Sequence, residues 1–426
     1  MVGFLDSDYV GEAGLSNLKL YKYSAVDKSP IANHVLKPYW NWAVTLFPLW
    51  MAPNLITLCG LGFILLNVLS VIIWIPDLVG PGPRWLYFSF PLGMWLYSTF
   101  DNVDGKQARR TGSSSPLGEL FDHGCDALNC SFGPLVFSAA LGLGHSYRSA
   151  AFFLLSVIPF FFSTWETYHT GVLYLGYING PTEGLIVACL LQLLSAIAGP
   201  EWWTQDLRDL FEDSVPSFIP KGCTSADVLL VAMAFSVCTL HIPASFYNVY
   251  EARKRREESY LSALSQLFSI AIYTLCAYFW LVSPHSFILR DQHFILFELT
   301  LGIVFGRVAT KIILAHVTKM KFPMYTVLLI PLFGGAVLTN IPVLFNTGEI
   351  LSRKGEYYYL WAYSIFATVA YFHWAILVIK RFCSYLKIKC FSIPYGKQVK
   401  MNVLKMNVLR NRKRSGKNFY HKITFF

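Results

Sequence analysis

Long apolar runs alternate with short polar segments along the chain, and this alternation indicates the structural class. Ten runs lie near residues 55–75, 84–101, 126–144, 150–168, 184–199, 226–246, 261–282, 294–315, 323–342 and 358–380. A helix needs about 20 predominantly apolar residues to cross a bilayer, and each run approaches or reaches that length. The pattern therefore predicts an all-α polytopic membrane protein with about ten transmembrane helices.

A segment rich in aromatic residues precedes the first run. Trp40, Trp42 and Trp50 punctuate a stretch that changes from polar to apolar. Because aromatic side chains of this kind favour the membrane–water interface, residues near 31–47 are predicted to form an amphipathic helix that lies on the bilayer. The alternative is the first layer of a soluble cap. Residues 1–17 are expected to be disordered.

Charge is distributed unevenly between a membrane body and a basic tail. The 426-residue chain is 54% hydrophobic and has a formal net charge of +10. Residues 381–426 contain twelve Lys and Arg and no Asp or Glu. Attraction to anionic lipid headgroups explains such a tail, so the bilayer is an expected partner and nucleic acid is not. The predicted organisation is a cytosolic N-terminus with the interfacial helix (1–50), a transmembrane domain (51–382) and a basic cytosolic tail (383–426).

Basic residues between the runs predict the orientation of the chain. Loops after the second, sixth and eighth runs carry Lys and Arg, around residues 106–110, 253–256 and 319–321. All three follow even-numbered runs, as does the basic tail, so they share one side of the membrane. Because Lys and Arg accumulate on the cytosolic side, both termini are predicted to be cytosolic.

The most polar stretch lies between the second and third apolar runs. Asp101 and Asp104 are three positions apart and Asp122 and Asp126 are four apart, so each pair shares a helix face. A loop rich in Gly, Ser and Pro at 112–116 reverses the chain between the pairs. Pro116 after Ser115 is typical of the first helical residue after an N-cap, so the second motif helix is predicted to start there and to extend the third apolar run. Four carboxylates that face one spot repel one another, and divalent cations with oxygen ligands relieve that repulsion. The alternative is a polar patch that is salt-bridged to the neighbouring Lys and Arg.

The same stretch carries a specific motif, D-x2-D-G-x2-A-R-x8-G-x3-D-x3-D, and with it a resemblance to a known family. Every fixed position is filled, by Asp101, Asp104, Gly105, Ala108, Arg109, Gly118, Asp122 and Asp126. This motif resembles that of the CDP-alcohol phosphotransferases. The stretches KLYKYSAVD (19–27), MAPNLIT (51–57) and LGELFDHGCD (117–126) are similar to the eukaryotic choline/ethanolaminephosphotransferases. The resemblance runs from about residue 18 to about residue 394.

The resemblance implies an activity, a cofactor and a location. The activity is the transfer of phosphocholine or phosphoethanolamine from CDP-choline or CDP-ethanolamine to diacylglycerol, which gives phosphatidylcholine or phosphatidylethanolamine and CMP. Two Mg²⁺ or Mn²⁺ ions would be held by the four aspartates and would neutralise the pyrophosphate. The expected location is the endoplasmic reticulum membrane, with the Golgi as the alternative and the active site facing the cytosol. A homodimer is one possible assembly.

Further site residues follow from the resemblance and from side-chain chemistry. Arg109 offers a planar fork for phosphate oxygens, although an interfacial arginine could also snorkel towards water. Asn54 matches a family position associated with the CDP-alcohol, but taken alone it could cap the first membrane helix. For the proton of the lipid hydroxyl, His123 is predicted to be the general base and Glu119, one turn earlier, its partner. The competing base is Asp126.

Two other functions are compatible with parts of the pattern. Within the family, an enzyme that uses CDP-diacylglycerol and a soluble alcohol would share the motif, but such proteins are typically shorter and have fewer spans. A cation transporter would also place carboxylates in a membrane. The clustering of four aspartates at one end of two helices disfavours the transporter. The sequence leaves the choice between choline and ethanolamine open.

Overall fold

The computed structural model describes residues 9–211, 215–217 and 219–393, and the regular secondary structure of this part of the chain is almost entirely helical. The helices are α1 (Glu12–Asn17), α2 (Lys37–Ala43), α3 (Pro53–Trp74), α4 (Arg84–Thr111), α5 (Pro116–Ala140), α6 (Tyr147–Thr170), α7 (Leu185–Ala198), α8 (Leu207–Phe211), α9 (Ser225–Ser236), α10 (Ile242–Arg255), α11 (Tyr260–Leu264), α12 (Phe268–Val282), α13 (Phe294–Thr318), α14 (Leu329–Phe345) and α15 (Arg353–Leu386). Two short strands, β1 (Ala25–Asp27) and β2 (Leu173–Leu175), pair in parallel.

Each predicted membrane run overlaps a helix, although the ninth run, 323–342, begins in an irregular segment before α14. Within the described residues, six helical stretches are long and apolar enough to cross a membrane: Pro53–Trp74, Tyr147–Thr170, Gly180–Ala198, Ser225–Arg255, Tyr260–Val282 and Arg353–Leu386. The other four runs lie on α4, α5, α13 and the shorter α14. The all-α polytopic prediction is confirmed. The third run extends back into the polar motif as predicted, since α5 begins at Pro116, but the helix ends at Ala140, before the predicted end of the run at residue 144.

The N-terminal region is more ordered than the sequence suggested. Residues 32–46 are helical, as predicted, and their buried face, which includes Trp40, packs against Trp95. The expected disorder of residues 9–17 was wrong, because α1 packs against α13 through the buried Leu15. Asn17 Nδ2 also donates to Thr318 O at 2.9 Å. Residues 1–8 and the tail from residue 394 onwards lie outside the described part of the chain.

Small residues allow the helices around the motif to approach closely. A Cβ added at Gly302 of α13 would lie 2.9 Å from both Phe132 Cε1 and Ser131 Cβ of α5. A Cβ added at Gly60 of α3 would lie 2.9 Å from Phe100 Cβ of α4. Such positions are the usual means by which membrane helices bring their backbones together. Helices α3, α4, α5 and α13 therefore form a tight frame around the polar stretch.

We predict that Gly302→Ala destabilises this frame. The new methyl group overpacks the contact between α5 and α13, which typically costs about 1–3 kcal/mol and outweighs the helix preference of Ala over Gly, about 1 kcal/mol. The melting temperature of the purified protein in detergent should fall. The matched control is Gly62→Ala, where a Cβ meets nothing within 4 Å. Equal melting temperatures for the two variants would contradict the packing argument.

Candidate active site

The two halves of the polar motif are brought together by a sharp reversal between α4 and α5. Helix α4 ends at Thr111 and is followed by Gly112, whose φ of +59° is a left-handed conformation that glycine adopts without strain. Ser115 caps α5 by accepting a hydrogen bond from the backbone N–H of Gly118 at 3.2 Å, and Pro116 follows as the first helical residue. The polar ends of the two helices therefore lie side by side.

The four aspartates of the motif converge at these helix ends. The carboxyl groups of Asp101 and Asp104 both lie close enough to those of Asp122 and Asp126 to interact with them electrostatically. Ligating atoms of Asp122, His123 and Asp126 all lie within 4.8 Å of one another. The structure thus brings together every residue that the spacing placed in one cluster.

Neutral donors, rather than cations, contact the cluster. The Thr57 hydroxyl donates to Asp104 and the Tyr97 hydroxyl donates to Asp126. Within the described chain, Asp101 Oδ1 and Asp122 Oδ1 are buried and have no hydrogen-bond partner. Two carboxylate oxygens without a hydrogen-bond partner, beside two further carboxylates, are suitable ligands for a divalent cation that prefers oxygen.

The basic side chains next to the motif are engaged elsewhere. Lys106 Nζ donates to Asn41 Oδ1 at 2.8 Å. Arg110 Nη1 donates to the backbone oxygens of Val44 and Phe47 at 2.7 and 2.9 Å. None of the described residues forms an ion pair with the four aspartates. The salt-bridged patch considered as an alternative is therefore not what the structure contains.

Arg109 and Asn54 flank the cluster from two sides. Arg109 is exposed, and its side chain folds back along α4. Its Nη1 lies 3.6 Å from the position that a Cβ atom on Gly105 would occupy. Asn54 is buried near the start of α3. Its Oδ1 lies 3.9 Å from the position that a Cβ atom on Gly118 of α5 would occupy. Asn54 does not cap α3, since the N-cap residue is Ala52 and no side-chain cap is formed. Their predicted roles towards a substrate stay predictions.

Glu119 has two neighbours that the sequence did not indicate. Its Oε2 accepts a hydrogen bond from the Tyr21 hydroxyl, and its Oε1 lies 3.7 Å from Nε2 of His316. The described residues include no hydrogen bond between Glu119 and His123. His123 itself is half-buried beside Asp122. The pairing of Glu119 with His123, and the catalytic role of both, remain predictions.

Segments from both ends of the chain pack against the site. The strand pair connects Ala25 to Leu173, which fixes the segment that carries Tyr21 and Tyr23. Burial, followed by the Glu119 carboxylate, raises the pKa of the Tyr21 phenol. The Tyr21 phenol therefore keeps its proton near neutral pH and donates it in the hydrogen bond to Glu119.

The C-terminal segment covers the opposite flank. The rings of Phe391 and Phe121 make an edge-to-face contact at 5.5 Å between centroids. Ser392 forms an isolated antiparallel bridge with Met51, and Asn54 Nδ2 lies 3.5 Å from Cys390 Sγ. The segment after α15 is therefore part of the wall of the site.

Comparisons with known proteins agree with this geometry. A family model described as CDP-alcohol phosphatidyltransferase matches residues 50–203, which include the whole motif. The chain is 40% identical over 395 residues to choline/ethanolaminephosphotransferase 1 of Arabidopsis thaliana, covering 90% of this chain and 98% of the relative. It is 38% identical to cholinephosphotransferase 1 of Saccharomyces cerevisiae, covering 74% of this chain and 81% of the relative. It is 30% identical to human ethanolaminephosphotransferase 1, covering 91% of this chain and 95% of the relative.

We predict that the aspartate cluster binds Mn²⁺ and that Asp122→Asn abolishes this binding. The substitution removes a negative charge and one oxygen ligand from the centre of the cluster. Electron paramagnetic resonance of free Mn²⁺ in a titration of the purified protein measures the loss. Asp291→Asn is the control, because Asp291 pairs with Arg353 at 2.7 Å, in the loop that precedes α13. Unchanged Mn²⁺ binding in Asp122→Asn would contradict the metal assignment.

Proposed function

This chain belongs to the CDP-alcohol phosphatidyltransferase family, and from that membership we infer that it is a choline/ethanolaminephosphotransferase. It transfers phosphocholine or phosphoethanolamine from the CDP-alcohol to diacylglycerol and releases CMP. The observation that carries this conclusion is the similarity across nine-tenths of the chain to relatives with those names. The relatives that align with the chain are named as transferases, so the cation-transporter hypothesis has no support. The alternative of a CDP-diacylglycerol-using enzyme is also disfavoured.

We propose that Asp101, Asp104, Asp122 and Asp126 hold Mg²⁺ or Mn²⁺ in a two-metal site. The convergence of the four carboxylates and the two orphaned oxygens support this assignment. When bound, the ions neutralise the pyrophosphate and stabilise the negative charge that develops on the departing CMP. Tyr97 and Thr57 orient the carboxylates through their hydroxyl groups.

Arg109 and Asn54 are proposed to hold the CDP-alcohol. The exposed Arg109 guanidinium lies beside a glycine of the motif, and it can donate two parallel N–H groups to phosphate oxygens. Asn54 lies between α3 and the start of α5, and its amide can both donate and accept hydrogen bonds. Together they would align the nucleotide with the reacting phosphate and leave the lipid side of the site open.

His123 is proposed to take the proton from the diacylglycerol hydroxyl as this oxygen forms its bond to phosphorus. The imidazole lies beside Asp122 and Asp126, within reach of a hydroxyl bound at the cluster. Asp126, the competing base, already accepts a hydrogen bond from the Tyr97 hydroxyl at its Oδ1, so this oxygen is engaged. The Glu119 carboxylate, fixed by Tyr21 and close to His316, provides negative charge one helical turn from His123.

The enzyme is proposed to lie in the endoplasmic reticulum membrane, or alternatively in the Golgi, with its active site facing the cytosol. The Lys and Arg clusters around residues 106–110, 253–256 and 319–321 support this orientation.

The orientation can be tested because CDP-alcohols are charged and do not cross bilayers. Sealed microsomes should therefore be active with added CDP-choline, whereas activity that appears only after detergent treatment would contradict the orientation.

We predict that the purified protein converts radiolabelled CDP-choline and CDP-ethanolamine into phospholipid in the presence of diacylglycerol and Mg²⁺. EDTA should abolish the reaction, and added Mg²⁺ or Mn²⁺ should restore it. Competition between the two CDP-alcohols in a single assay measures the preference between choline and ethanolamine. Failure to label any lipid, with the protein folded and diacylglycerol present, would contradict the proposed function.

We predict that His123→Ala lowers kcat by about 10²- to 10⁴-fold, the usual contribution of a general base. The affinity for the CDP-alcohol should change little, because the metals and Arg109 hold the nucleotide. Glu119→Gln should cost less, since the base itself remains. If His123→Ala turns over as fast as the unmodified enzyme, Asp126 rather than His123 is the general base. A fall in Mn²⁺ affinity would make His123 a metal ligand rather than the base.

A further inference from the structure

Among the residues that the structure describes, a buried arginine outside the catalytic cluster has no anionic partner. Arg307 lies near the middle of α13 and is 8% exposed, and its Nη1 has no hydrogen-bond partner among the described residues. Its guanidinium stacks on the ring of Trp374 in α15, 3.9 Å from the centroid, and Tyr9 approaches it at 5.8 Å. Burial of an unpaired charge is costly, so an anion bound beside Arg307 would stabilise this arrangement.

Stacking determines which part of Arg307 can bind a ligand. The flat face of the guanidinium is occupied by the indole ring of Trp374. The N–H groups lie in the plane of the guanidinium and point away from its edge, in the fork that matches two oxygens of a phosphate or carboxylate. Glu298 cannot be the partner, because nine residues of helix separate it from Arg307 by roughly 14 Å.

A second cation lies one helical turn further along α13. Lys311 is half-buried, and its Nζ donates to Tyr325 O at 3.0 Å. The cavity beside it is lined by Ser269, Val308, Lys311, Pro323, Tyr325, Thr326 and Leu329. The Thr326 hydroxyl is buried and has no hydrogen-bond partner in the described chain. Lys311 and Thr326 therefore border the same cavity, and Arg307 precedes Lys311 by one turn of α13.

The backbone next to this cavity is irregular. Residues 320–326 have no regular secondary structure before α14 begins at Leu329. Tyr363, within α15, donates to Leu328 O at 2.8 Å, so the irregular segment reaches the side of a membrane-spanning helix. In a membrane protein, irregular backbone is tolerated where it is buried in protein or lines a polar cavity. The exposed Tyr325 and Val327 at the same place offer apolar surface to acyl chains.

From these observations we propose that Arg307, Lys311 and Thr326 form a binding site for the phosphate group of a phospholipid. The phosphate lies against the edge of the Arg307 guanidinium, and the acyl chains remain in the bilayer beside residues 324–327. The site is separate from the aspartate cluster. Occupancy can be measured without turnover, so it does not depend on the proposed reaction.

The test measures lipid binding by the purified full-length protein in detergent, by native mass spectrometry at increasing lipid concentration. Three probes separate the parts of the ligand: dioleoylphosphatidylcholine, dioleoylglycerol, which has the same chains without phosphate, and inorganic phosphate, which has no chains. Arg307→Gln should weaken phosphatidylcholine binding by about tenfold or more, as expected for loss of a charged hydrogen-bonding partner. Dioleoylglycerol binding should not change, and inorganic phosphate should bind far more weakly than the phospholipid.

Matched variants keep this test decisive. Arg290→Gln is the control, because Arg290 also stacks on an aromatic ring, that of Phe287, but donates to Pro284 O at 2.7 Å. Arg307→Lys keeps the charge and should retain most of the binding. If Arg307→Gln does not fold, Lys311→Gln is measured in its place and should also weaken phosphatidylcholine binding.

Three results would overturn the proposal. The first is that Arg307→Gln binds phosphatidylcholine as tightly as the unmodified protein does. If Arg307→Gln does not fold, the same result for Lys311→Gln overturns the proposal. The second is an equal loss of dioleoylglycerol binding, which would indicate a packing role. The third is inorganic phosphate binding as tightly as the phospholipid, which would indicate a site for a free anion.

Discussion

The mutual repulsion of four carboxylates is the constraint on which the rest of the site depends. Two ionised carboxylates about 4 Å apart repel each other by roughly 4 kcal/mol at an effective dielectric constant of about 20. Several such pairs together rival the whole folding stability of an ordinary domain, about 5–15 kcal/mol. The close packing of α3, α4 and α5 and the hydroxyls of Thr57 and Tyr97 hold the carboxylates together. Divalent cations, which the orphaned oxygens of Asp101 and Asp122 fit, would remove the repulsion.

The frame around the cluster extends to both ends of the described chain. Tyr21 contacts Glu119 from the N-terminal segment, and His316 approaches the same carboxylate from the C-terminal end of α13. The segment after α15 contacts Asn54 and Phe121. The matched family region, residues 50–203, therefore supplies the aspartates, whereas residues outside it position their surroundings.

The sequence predicted the elements more successfully than the contacts between them. Apolar periodicity located the membrane helices, because burial in lipid demands long apolar runs whatever their neighbours are. The start of α5 was predicted correctly from the pair Ser115 and Pro116, because an N-cap followed by proline is a local signal, although the apolar run itself begins later in this helix. The spacing of Glu119 and His123 correctly placed both on one helix, but spacing does not determine side-chain direction. Glu119 instead contacts Tyr21, 98 residues away in sequence, and no local pattern encodes such a pair.

The most direct measurement of the central claim is the affinity for CDP-choline as a function of Mg²⁺ concentration, by isothermal titration calorimetry on the purified protein. If the aspartates act on the pyrophosphate through bound cations, the nucleotide affinity should rise at least tenfold between EDTA and saturating Mg²⁺. By reciprocity, bound CDP-choline should raise the Mg²⁺ affinity by the same factor. Asp101→Asn should remove the coupling. An affinity for CDP-choline that is the same in EDTA and in Mg²⁺ would contradict the account.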